Sequence, residues 1–93
     1  MEATVKKEVL NYLRDAVRSV HISDDTGFQE TLRECRSILE MSDQELADSL
    51  LVSRPTISRW VRGKNLPHRA MRQPIIDWVA RQAERRLRAL EFV

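Results

Sequence analysis

The stretch MSDQELADSLLVSRPTISRWVRGK, Met41 to Lys64, holds two short helical patterns with only three or four residues between them. Leu50-Leu51-Val52-Ser53 is too short to let two helices lie antiparallel and share a flat interface, so it forces a steep crossing. In such a crossing the first helix braces the second and pushes it outward. The two are loaded differently. The first carries acids; the second carries Arg54, Arg59 and Arg62 and no acid.

Both boundaries can be read from side chains. Ser42 and Glu45 form a capping box, with Met41 and Leu46 at the staple positions, so a helix of about eight residues starts at Asp43 and turns Leu46, Ala47 and Leu50 inward. Ser53 is the N-cap of the next, with Val52 and Ile57 as its staple. Pro55 suits a first turn, whose amides lack partners in any case. Ile57, Trp60 and Val61 then face inward, and Gly63 stops the helix.

Three further helices follow from periodicity. Val5, Val9, Leu13, Ala16, Val17 and Val20 make one stripe over residues 4–20. SDDTG, Ser23 to Gly27, breaks it, and Asp24 and Asp25 read as turn or cap residues. Phe28, Leu32, Cys35 and Leu39, with Ile38 beside them, make a second stripe over about 27–40, with Thr26 and Gln29 as a capping box. After a loop from Lys64 to about Met71, a last helix starts near 71–74, with Pro74 in its first turn, and runs to about 90. Its stripe is Ile75, Trp78, Val79, Ala83, Leu87 and Leu90. The expected fold is all-α, in one chain of 93 residues.

Charge separates the two halves. Residues 1–40 hold six basic and eight acidic side chains, and residues 41–93 hold ten basic and six acidic. No acid lies between Asp48 and Asp77, a window with Arg54, Arg59, Arg62, Lys64, Arg69 and Arg72. A local basic stripe on a nearly neutral protein points to one face meeting a polyanion. A helix is about as wide as the DNA major groove. Arginine binds guanine O6 and N7 bidentately, and serine bonds to several base edges. A carboxylate on that face would repel phosphates.

QELADSLLVSRPTISRWVRGKNLP resembles the helix-turn-helix of lambda-repressor-like proteins, the XRE or Cro/C1-type family, and the resemblance covers about residues 28–85. Its marks are Ala47 in the bracing helix, VS before the second helix, Ile57 and Trp60 as anchors, and RGKNLP after it. The resemblance implies a compact bundle of about five helices with a central helix-turn-helix, here with an extra N-terminal helix. It also implies a transcription regulator that binds double-stranded operator DNA as a homodimer. By the same resemblance, base contacts fall on Arg54, Pro55 and Arg59 with Thr56 and Ser58 beside them, within a reading helix at 54–62. Phosphate contacts fall on the start of the bracing helix, at Ser42 and Gln44, and on Arg62, Lys64 and Arg69. Two positions depart from the pattern. Leu51 stands where the family often has glycine, which predicts a wider or differently shaped turn, because a left-handed leucine is costly. Asp43 stands where the family often has glutamine. It suits the helix dipole but cannot donate to a phosphate, so Gln44 takes that part.

The chain divides at the break after the first helix. Residues 1–24 form an amphipathic helix for packing or dimerisation, and residues 25–93 the DNA-binding part. The dimer surface is expected on Val5, Val9, Leu13 and Val17 or on Ala83, Leu87, Leu90 and Phe92, with the last helix preferred. The alternative is that the first helix covers that stripe within one chain, leaving a monomer. Trp60 reads as core; Trp78 and Leu87 read as core or dimer interface.

Other classes have less behind them. No catalytic constellation assembles, so no enzyme is expected. His21 and His68 lack partners at metal spacing, so no metal or other cofactor is expected. Cys35, the single cysteine, reads as a buried structural thiol in a cytoplasmic protein. No apolar run is long enough for a membrane span. RQAERRLR, Arg81 to Arg88, reads as a solvated face. Two other functions fit the same segment: an antitoxin that represses its own operon and holds a toxin or other protein partner through the N-terminal helix, and an interaction domain that does not bind DNA.

Overall fold

A computed structural model describes residues 3–91. Five helices follow one another: α1 (Ala3–Ser19), α2 (Asp25–Ile38), α3 (Asp43–Leu50), α4 (Arg54–Val61) and α5 (Arg69–Glu91). No strand occurs among the described residues. The all-α bundle with a central helix-turn-helix is as expected, and α1 completes the five.

The caps explain where the helices start. Ser42 Oγ accepts from the Glu45 amide at 3.1 Å, and the Ser42 amide donates to Glu45 Oε1 at 3.0 Å, closing the capping box at α3. The Glu45 carboxyl is held below the usual carboxylate range, first by that backbone amide and then by the Ser42 hydroxyl. Ser53 caps α4 by accepting from the Thr56 amide. At α2 the expected box of Thr26 and Gln29 does not form. Asp24 is the N-cap, its Oδ1 accepting from the Gly27 amide at 2.9 Å, so the helix starts at Asp25. Asp24 lies two residues earlier, and its charged carboxylate takes the Gly27 amide, so the cap falls on it and not on the threonine.

Pro74 is a second correction. It lies inside α5, in the second turn, because that helix begins at Arg69. His68 provides the earlier start: its Nδ1 accepts from the Ala70 amide at 3.1 Å. Pro74 has no amide to donate to Ala70 O, and Ala70 is itself exposed, so that carbonyl is left to water.

Three consecutive helices end on a left-handed residue: Glu40 (φ 54°), Leu51 (φ 60°) and Gly63 (φ 72°). At α2 the Met41 amide donates to Arg36 O and the Glu40 amide to Ser37 O, the paired bonds of a Schellman ending. Leu51 takes the conformation directly, so the turn keeps the shape glycine would give it, against the expectation of a wider one. The Val52 amide bonds back to Ala47 O at 3.0 Å and holds it there.

The core joins all five helices. Leu10, Leu13 and Val17 of α1 and Phe28, Leu32 and Cys35 of α2 are buried. So are Leu46 and Ala47 of α3, Ile57, Trp60 and Val61 of α4, and Ile75, Ile76, Val79, Ala83 and Leu87 of α5. Burial pushes the Cys35 thiol up to about 12, so it stays protonated and inert. Along α1 the buried face includes Leu10, which the sequence stripe passes over, and leaves Val5 44% exposed.

The most extensive helix contact runs between α1 and α5. They lie antiparallel, with Leu10 near Arg86 and Ala89 and Arg18 near Ala80 and Glu84. Arg18 and Glu84 form an ion pair across them. Ala83 and Leu87 are therefore consumed within the chain, which corrects the preference for that stripe as a dimer surface; Phe92 lies outside the described residues. Trp78 and Leu90 are half-buried against the core.

Candidate nucleic-acid interface

Helix α4 has eight residues, about two turns, and cannot hold itself together in isolation. Ile57, Trp60 and Val61 attach it to the core, and the opposite face looks outward. Arg54, Pro55 and Arg59 are exposed; Thr56 and Ser58 are half-buried. Ser53 Oγ and Thr56 Oγ1 lie 2.7 Å apart, and Arg59 Nη2 donates to Thr56 Oγ1 at 3.4 Å. The Thr56 hydroxyl thus already serves the helix start and the arginine.

The flanks are basic. Arg62 and Lys64 follow α4, and Arg69 opens α5; all three are exposed. Across the turn, Ser42 is exposed but engaged in its capping box. Gln44 is exposed, with its Nε2 bonded to Asp48 Oδ1 at 2.9 Å.

The ion pairs mark which cations are committed elsewhere. Among the described residues they engage Arg14, Arg18, Arg36 and Arg72. None engages Arg54, Arg59, Arg62, Lys64 or Arg69. They are five among the cations outside these ion pairs, and what sets them apart is that they fall together in the stretch without acids between Asp48 and Asp77.

Two arginines fall differently from what the sequence suggests. Arg72, counted in the basic window, is buried. Its Nε donates to Pro67 O, its Nη1 donates to Ile22 O at 2.8 Å and Asp25 Oδ1 at 2.6 Å, and its guanidinium lies 5.4 Å from the Phe28 ring centroid. It pins the α1–α2 connection and the start of α5 together, and a periodicity scan treats such a residue as surface. Arg36 comes from α2 to donate to Asp43 Oδ1 at 2.7 Å. It neutralises the acid at the α3 start, which only tertiary contact reveals.

A short bracing helix, a tight left-handed turn and an outward helix carrying arginines that make no ion pair have the geometry of a helix-turn-helix. A family model described as helix-turn-helix matches residues 32–70, from within α2 to the first turn of α5, so the chain is similar to that family over this segment. No curated protein and no solved structure matches the chain. The family match supports a DNA-binding regulator. Among the described residues no helix is long and apolar enough to cross a membrane, and no cluster of metal-ligating side chains occurs.

Proposed function

We propose that this chain is a sequence-specific regulator of transcription that reads the major groove of double-stranded DNA with α4. The observation that carries this is the cluster of exposed cations on and around α4 that make no ion pair and have no acid in the same stretch of chain. Arg54 and Arg59 read base edges, with Pro55, Thr56 and Ser58 beside them. Arg62, Lys64 and Arg69, with Ser42 and Gln44 across the turn, hold the phosphates.

One such helix reads only a few base pairs, too few to locate a single genomic site, so the working form is a dimer on an inverted repeat. The apolar stripe of α1 is spent within the chain, and Val5 and Tyr12 stay exposed on its outer side. The apolar surface still open beside α4 is a groove of about 360 Å³ lined by Leu50, Leu51, Trp60, Met71, Pro74 and Trp78. Leu51 stands 90% exposed on its rim and Met71 46% exposed. A second copy docked there would keep both reading helices near the common axis, which suits a spacing of ~34 Å, one turn of DNA.

Selection of bound sequences from random double-stranded DNA tests the reading. An inverted repeat is expected, with affinity falling steeply as salt rises. Recovery of unrelated sequences, or no retention on DNA at low salt, would overturn it.

A further inference from the structure

The reading helix ends in carbonyls that need partners, because the last turn of any helix leaves them open. The Arg62 amide donates to Ser58 O, the Lys64 amide to Arg59 O and the Gly63 amide to Trp60 O. The Val61 carbonyl is served from another helix. Gln29 of α2 reaches across, and its Nε2 donates to Val61 O at 2.8 Å. Among the described residues this is the one side-chain hydrogen bond that joins α4 to another helix.

The fit around that amide is close. Gly63 sits at φ +72°, and a Cβ placed there would lie 3.1 Å from Gln29 Cδ and 3.2 Å from its Nε2 and Oε1. The glycine that ends α4 therefore also leaves room for the glutamine that seals it. Gln29 lies outside the segment matched by the family model.

We infer that Gln29 is a positioning residue for DNA reading: its bond to Val61 O fixes the C-terminal end of α4 and so the angle at which Arg54 and Arg59 meet the bases. The inference rests on the proposal that α4 reads DNA. Base readout tolerates displacements of only about 0.5 Å and 10–20°. Phosphate contacts by flexible side chains tolerate more. An α4 held only by Ile57, Trp60 and Val61 is free to tilt about its buried side, which weakens cognate binding before non-specific binding.

Gln29→Met keeps the length and the packing against Gly63 and removes the donor. Selected and random DNA are titrated with the natural protein and the variant, alongside thermal melts and salt slopes. Binding to selected DNA is expected to weaken about 3–10-fold, the range of one lost hydrogen bond. Binding to random DNA is expected to stay within about two-fold, with the salt slope unchanged, since no phosphate contact is removed. Gln29→Lys restores a donor and is expected to bring back the ratio of selected to random affinity, whatever its added charge does to both. Equal weakening on both DNAs, an unchanged ratio in Gln29→Met, or no recovery in Gln29→Lys would overturn the inference. A natural protein with no preference among sequences overturns the DNA-reading proposal and this inference with it. A preference that survives Gln29→Met removes the inference alone.

Discussion

Leu51 carries two unfavourable features at once. It is left-handed, which costs an L-residue about 1–2 kcal/mol, and its side chain is 90% exposed, so little packing offsets that strain. Leu51→Gly relieves the strain but adds freedom to the unfolded chain. A net stabilisation of about 0.5–1 kcal/mol is expected, or ~3–6 °C in the melting temperature of a domain this size, measured at a concentration where the protein is monomeric. A lower melting temperature would show that the leucine packs more than its exposure indicates. Glu45 gives a pH signature on the same scale. Its folded pKa is depressed by the Ser42 amide, so its stabilisation is complete above the unfolded value and is lost as pH falls through the folded one. The melting-temperature gap between the natural protein and Glu45→Ala is expected to be constant near neutrality and to narrow below about pH 4. A gap that holds at about pH 2.5 would contradict this.

Helices α3 and α4 share the work unevenly, since only α4 turns cations outward from its own face. Arg54→Ala and Arg59→Ala are each expected to cost ~1–3 kcal/mol on the selected site and much less on random DNA. Arg62→Ala, Lys64→Ala and Arg69→Ala are expected to weaken binding to all sequences alike and to lower the salt slope by about one unit each. Titrations on both DNAs across a salt series separate the two groups. A base-class arginine that behaves like Lys64 would have to be reassigned. These two helices were legible from local chemistry: Ser42 with Glu45 and Ser53 with Thr56 fix their starts within a few residues of sequence. The start of α5 was not, because His68 caps it and Arg72 anchors it, and neither residue type signals a helix start by itself.

At the scale of the molecule, α1 and α5 clasp each other, and α1 is joined through α2 to the α3–α4 pair. The segments 1–24 and 25–93 are therefore proposed to unfold as one body. Leu13 is fully buried in that clasp, and Leu13→Ala is expected to cost ~2–5 kcal/mol out of a total of roughly 5–10. Circular dichroism and DNA binding are expected to be lost in a single, earlier transition. Retained DNA binding after the α1 signal has melted would show the segments to be independent.

The sequence by itself determined the helices, their order and the outward arginine helix. Those features depend on side chains three or four residues apart, which a linear pattern contains. Tertiary structure decided what covers what. It set α1 on the α5 stripe, took Arg72 out of the basic surface, placed Arg36 on Asp43 and brought Gln29 to the end of α4. Each of these joins residues from separate elements. An amphipathic stripe announces that it must be buried but does not name its partner, and a long polar side chain reads as solvated until the packed chain supplies acceptors within its reach.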